Sequence, residues 1–152
     1  MTPGQQLDSF IAKFTPEVGA VAQDALKKMR KRFPGAIQLV YDNYNALAIG
    51  FGPSERASEA IFSIALYPRW VSLFFLRGAG LPDPQKRLKG SGNVVRYVVL
   101  ESAATLDAPA VQYLMNVALH RARKPIEKKS RGQLIIKSIS AKQRPRRPTS
   151  SR

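Results

Sequence analysis

The apolar positions along this chain change period several times. Gln5 to Phe14 presents Leu7, Phe10, Ile11 and Phe14 at helical spacing. Thr15-Pro16-Glu17 is a helix start, with Thr15 as N-cap and Pro16 in the first turn. Val18, Val21, Ala22, Ala25, Leu26 and Met29 then recur at the same spacing until Phe33-Pro34-Gly35 stops the run. Beyond it the period shortens to alternation. Ala36–Tyr41 and Ala46–Phe51 predict two strands joined by the turn residues Asp42 to Asn45. Ala60–Tyr67 and Trp70–Leu76 predict two more, joined only by Pro68-Arg69, and Val94–Leu100 predicts a fifth. In Trp70–Leu76, Trp70, Ser72, Phe74 and Leu76 share one face and Val71, Leu73 and Phe75 the other. Asp107 is the expected cap of a last helix whose stripe is Val111, Leu114, Met115, Ala118, Leu119 and Ala122. Helices at both ends of a run of strands predict an α+β fold: a two-layer sandwich with an antiparallel sheet of about five strands.

A length of 152 residues and a 44% hydrophobic fraction suit one domain with a real core. No cysteine is present, so disulfide and zinc–thiolate chemistry is excluded. Ala60–Leu76 is the longest apolar stretch, and Pro68-Arg69 interrupts it; with no apolar leader at the N-terminus, a cytoplasmic protein without a membrane span is expected. The formal charge is +15, and residues 121–152 hold 12 Lys or Arg against Glu127 alone. The expected division is therefore a domain over residues 1–123 and a basic tail over 124–152, rich in proline and cations. Within that tail Leu134, Ile135, Ile136 and Ile139 form an apolar island, readable as an edge strand, a docking segment or a piece ordered by a partner.

The longest connection, between Leu76 and Val94, mixes Arg77, Lys86, Arg87 and Lys89 with Gly78, Gly80, Gly90 and Gly92, and Arg96 follows. Glycine lets backbone amides approach a ligand and cations favour an anion. Arg77, Lys86, Arg87, Lys89, Gly90, Gly92 and Arg96 are thus the candidate small-anion site. The plainer reading is a solvated rim on a long connection, with Arg96 paired to a carboxylate such as Glu101.

The segments PEVGAVAQDALKKMRKRFPGA, VYDNYNALAIGFGPSE, LPDPQKRLKGSGNVVR and ALHRA resemble the bacterial YdhG-like family, a domain of unknown function, over residues 14–123. The resemblance implies a helix, an antiparallel sheet and a helix, the frataxin-like arrangement, and one relative is described as an intracellular iron chaperone. Fold kinship does not carry function. An iron chaperone needs clustered carboxylates, whereas Asp8, Glu17 and Asp24 are scattered among cations; Asp42, Glu55 and Glu59 could meet only across strand ends.

No nucleophile–base pair, metal-ligand cluster or cofactor fingerprint stands out, so a non-enzymatic module that binds a small anion or a partner through the Gly78 to Arg96 region, without cofactor or metal, is expected. The alternative is nonspecific nucleic-acid association through Lys128, Lys129, Arg131, Arg144, Arg146 and Arg147, whose charges would neutralise phosphates. Tyr41, Tyr44, Tyr67 and Trp70 are expected in the core and in cross-strand pairs rather than stacked on a ligand. His120, the only histidine, falls off the apolar stripe and is expected at the surface. Solvent-facing apolar positions of the sheet could also support a homodimer.

Overall fold

Thr2 opens the first helix: its hydroxyl accepts from the Gln5 amide at 3.1 Å, while the Gln5 side chain accepts from the Thr2 amide at 2.9 Å. This reciprocal cap starts α1 (Pro3–Ile11) two residues earlier than the apolar spacing predicts. In this computed structural model, which describes residues 1–149, Thr15 then caps α2 (Pro16–Arg32) as expected, accepting from the Val18 amide. Phe33 ends α2 by returning its amide to the Met29 carbonyl.

The strands follow: β1 (Ile37–Asp42), β2 (Leu47–Gly52), β3 (Phe62–Leu66), β4 (Val71–Phe75) and β5 (Arg96–Leu100). A short 3₁₀ turn at Ala57–Glu59 separates β2 from β3. Each consecutive pair is antiparallel, as expected. A second 3₁₀ turn (Ala103–Asp107) leads into α3 (Pro109–Arg121). Asp107 does not cap α3; Ala108 occupies that position with no side-chain bond, and Asp107 instead pairs with Lys28 on α2 at 2.6 Å. Among the described residues no helix is long and apolar enough to cross a membrane.

The expected five strands are joined by a sixth. β6 (Gln133–Ile139) runs parallel to β1, with a register shift opposite Val40/Tyr41, and the sheet order is β5-β4-β3-β2-β1-β6. The apolar island is therefore an edge strand, and Leu134 and Ile136 pack against the core. The boundary expected at residue 123 does not mark off a separate tail. Its approach requires a bare backbone at Gly35, where a Cβ would lie 1.8 Å from the Glu127 carbonyl oxygen. No alanine fits there.

Helices cover one face of the sheet. Val40, Ile49, Ile64, Leu73 and Val98 form one cross-strand row beneath them, and Phe51, Phe62 and Phe75 another. Both rows pack on Val18, Ala22, Ala25, Leu26 and Met29 of α2 and on Val111, Leu114 and Met115 of α3. Phe62 stacks on Phe33 and meets Phe75 edge-on, both with centroids 5.7 Å apart. Burying each such ring contributes on the order of 2–3 kcal/mol. Among the described residues the opposite face carries no α-helix. Its rows are Tyr41, Ala48, Ala65, Ser72 and Val99, then Leu39, Gly50, Ser63, Phe74 and Tyr97.

Candidate functional site

The connection after β4 folds back on itself rather than forming one cationic pocket. Its organiser is Asp83, whose carboxylate accepts from the amides of Arg87 at 2.8 Å and Leu88 at 2.9 Å. Leu81 is buried and Leu88 packs against the core, anchoring the loop from within. Lys89 exchanges both backbone bonds with Tyr97 and so covers the outer edge of β5. Arg96 bends back over the loop, and one guanidinium nitrogen donates to the carbonyls of Gly92 and Val95. Gly78 makes room for it: a Cβ there would lie 2.7 Å from the Arg96 Cβ. Arg96 therefore closes a loop, and neither an anion pocket nor Glu101 engages it.

The other expected members part company. Lys86 is exposed with φ +52°. Arg87 lines a mostly apolar hollow of about 440 Å³ beside the start of α3, with Pro109 and Tyr113. Gly90, at φ +114°, and Gly92 are exposed turn positions. Of the expected set only Arg77 reaches a cleft where cations converge.

That cleft, of about 500 Å³, lies between the 3₁₀ turn before β3, the segment Arg77–Leu81 and the C-terminal end of α3. Its floor is apolar, from Ile61, Phe75, Leu81 and Ala118. Its rim carries Arg56, Arg77, Arg121, Arg123 and Lys124. Arg77 is steadied by the Ser58 carbonyl at 3.3 Å, and Arg121 by the Gly80 carbonyl at 3.0 Å. A guanidinium has five N–H donors, so one such bond fixes its direction and leaves the others free.

One carboxylate lines this cleft. Glu59 accepts from the Ser54 hydroxyl and lies 3.0 Å from the Lys124 ammonium. The Ser54 bond first, and then Lys124, hold its carboxyl below the usual carboxylate range. Glu59 thus pairs with Lys124 and feels the charge of Arg56 more weakly, while among the described residues none of the four arginines forms an ion pair. Positive groups over an apolar floor create a stronger local field than the same groups in open water. Chemically the arrangement can hold a carboxylate or phosphate while covering an attached apolar body. Arg56, Arg121 and Arg123 were not in the expected set, for they lie far from Arg77 in sequence. The one local signal was the run Arg121-Ala122-Arg123-Lys124, cationic where the stripe of α3 ends.

The cations expected to meet nucleic acid also divide. Lys128, Lys129 and Arg131 are exposed on the connection into β6. Arg144 is exposed with its guanidinium 5.8 Å from the Tyr44 ring. Arg147 donates to the carbonyls of Lys13 and Ala12. Arg146 must be withdrawn from that set: it is buried, pairs with Asp42 at 2.9 Å and lies over the Phe14 ring. Its neighbours complete a clasp around the β1–β2 turn, where the Ser140 amide and the Gln143 side chain donate to the Asp42 carbonyl. Residues 150–152, the end of the expected tail, lie outside the described residues.

With Asp42 taken by Arg146 and Glu59 by Ser54 and Lys124, the meeting of Asp42, Glu55 and Glu59 that the sequence leaves open does not occur. Among the described residues no three His, Asp or Glu side chains gather. His120 is exposed, as its position off the stripe implies. Tyr44 and Trp70 are not core residues: 48% and 45% of their surface is open to solvent. Comparison with protein-family models, with curated proteins and with solved structures finds no match for this chain.

Proposed function

We propose that this protein is a small-molecule binding module whose ligand is an anion, a carboxylate or a phosphate, carried on an apolar body. One observation supports this above all: four arginines ring a cleft of about 500 Å³ whose floor is Ile61, Phe75, Leu81 and Ala118. The sole carboxylate on its wall is engaged by Ser54 and Lys124. The reading as a binder rests on the cations that dominate the polar rim, Arg56, Arg77, Arg121, Arg123 and Lys124. Kinship with the YdhG-like family belongs to the same reading, supported by the order of two helices, five antiparallel strands and a helix. The iron-chaperone alternative would need gathered carboxylates, and among the described residues no three His, Asp or Glu side chains come together.

Isothermal titration with two probes, pyrophosphate and octanoate, tests the proposal. Octanoate combines the charge with the apolar body and should bind at a single site, more tightly than acetate. Replacing Arg77 and Arg121 together by alanine should weaken it at least about tenfold, as losing two charge-assisted bonds implies. Equal affinity in the double variant, or no uptake of either probe, would reject the cleft as the site.

A further inference from the structure

The aromatic residues are sorted between the two faces of the sheet. Six of seven phenylalanines lie in the helix-covered core. The helix-free face or its rim holds Phe74, the single tryptophan and four of the five tyrosines. Tyr67 and Trp70 stack with centroids 5.2 Å apart at 25°, and Phe74 lies 5.3 Å from Tyr97. Between Tyr44, Tyr67 and Phe74 runs an open trough of about 510 Å³, floored by the small residues Ala48, Ser63 and Ala65. No carboxylate lines it.

Cations border this face without closing it. Arg69 sits in the turn between Tyr67 and Trp70, Lys89 is bonded beside Tyr97, and Arg144 lies over Tyr44. All three are exposed. Ring faces open to solvent beside unpaired cations offer two things at once: π surfaces for flat heterocycles and charge for the phosphates linking them. A duplex would use only the cations, because its bases are hidden in the stack. An anionic bilayer would leave a recessed, small-residue floor empty.

We propose that the helix-free face of the sheet binds single-stranded nucleic acid, stacking unpaired bases on Tyr44, Tyr67 and Trp70 while Arg69, Lys89 and Arg144 take the phosphates. The proposal is independent of the ligand cleft, which opens at the other side of the sheet's end. It also moves nucleic-acid contact away from most of the basic segment after residue 123, of which Ser140 lines the trough and Arg144 lies over Tyr44 at its rim.

The sole tryptophan makes the test direct. Unlabelled twelve-residue oligo(dT) is titrated while Trp70 emission is followed, and a fluorescent oligo(dT) of the same length gives affinity by anisotropy. The oligonucleotide should quench Trp70 and bind at least tenfold more tightly than a twelve-base-pair duplex at equal salt. Trp70→Ala and Tyr44→Ala should each weaken binding about tenfold, whereas Trp70→Phe, which keeps a ring face, should stay within about threefold. Arg144→Ala should lower the salt slope by about one. The Arg77/Arg121 double variant should bind oligo(dT) as the parent does, which separates this proposal from the cleft. Circular dichroism checks the fold; should Trp70→Ala disturb it, Tyr44→Ala, at a solvent-facing turn, carries the same expectation. Binding without quenching, equal affinity for the duplex, or alanine variants indistinguishable from the parent would overturn the proposal. Quenching by phosphatidylserine vesicles but not by oligo(dT) would overturn it too, in favour of a lipid surface.

Discussion

Arg146 and Arg121 arise from similar basic runs, yet the fold uses Arg146 in one way and Arg121, with the other arginines of the cleft, in the opposite way. Arg146 and Asp42 keep only 5% and 1% of their side-chain surface. The guanidinium donates to the Asp42 carboxylate and to the Asn43 carbonyl, and it covers Phe14. Arg77 and Arg121 remain exposed, each tied to one backbone carbonyl and to no carboxylate. Taking a charge out of water costs several kcal/mol, so a buried arginine needs its counter-ion. An arginine held at the surface by a neutral acceptor keeps its solvation and also its field. The first kind of cation serves the fold; the second is available to a ligand.

The sharpest way to break this comparison is to remove one half of the clasp. Asp42→Ala leaves Arg146 buried and unpaired, and Arg146→Ala does the same to Asp42. Each should cost about 3–5 kcal/mol, read as a lower urea midpoint. The pair itself contributes far less than that figure suggests. Asp42 Oδ2 and Arg146 Nε have no protein partner, so desolvation is incompletely offset. The double replacement Asp42→Leu with Arg146→Met should therefore recover most of the loss. A single-variant cost below about 1 kcal/mol would place the clasp with ordinary surface pairs.

The complementary experiment concerns stability in the cleft. The Arg77/Arg121 double alanine variant, expected to lose anion affinity, should change the unfolding free energy by no more than about 1 kcal/mol. A loss comparable to that of Asp42→Ala would mean that these side chains are structural after all.

Acid provides a third test, because Glu59 is the one carboxylate between the two regimes. Its carboxyl is held below the usual range by the Ser54 hydroxyl and then by Lys124. A depressed carboxyl contributes stability above its unfolded pKa, and that contribution is lost as pH falls through the folded value. Protonation would also release Lys124 to the cleft. Affinity for a strong-acid anion such as octyl sulfate should therefore rise as pH falls below about 4, the ordinary carboxylate range, even as the pair's contribution to folding disappears. Ser54→Ala should move that rise to higher pH. Affinity that stays flat as pH falls through and below the ordinary carboxylate range, with Ser54→Ala giving the same flat profile, would show that Glu59 does not govern the cleft.

The legibility of the fold follows the range of the forces involved. Alternation fixed β1 to β5 within about two residues, since cross-strand burial and local turns leave their marks close together; Pro68-Arg69 and Asp42 to Asn45 are such turns. β6 was only one of three readings, because a parallel partner lies across the whole sheet and no hairpin announces it. Its apolar residues were also hidden among cations. Asp107 looked like a cap by type and position, and the tertiary pair with Lys28 took it away. The cleft was the least legible feature. The sequence groups Arg77 with its neighbours along the chain, whereas its partners in space come from the turn before β3 and the end of α3.

Lys86 is the smallest test and the cleanest control, being a cation that neither pairs nor gathers. Its amide donates to the Asp83 carbonyl at 3.1 Å, and the turn places it at φ +52°. A side chain in this left-handed region costs roughly 1–2 kcal/mol, because Cβ crowds the following carbonyl. Glycine removes that crowding but loses about 0.5–1 kcal/mol through its freer unfolded chain. Lys86→Gly should therefore stabilise the protein by up to about 1 kcal/mol, seen as a modest rise in Tm. It deletes a positive charge without touching the cleft or the sheet face, so octanoate and oligo(dT) affinity should stay within about twofold. A large fall in either would mean that net charge, rather than the placed cations, drives binding, and the distinction between structural and available arginines would lose its functional meaning.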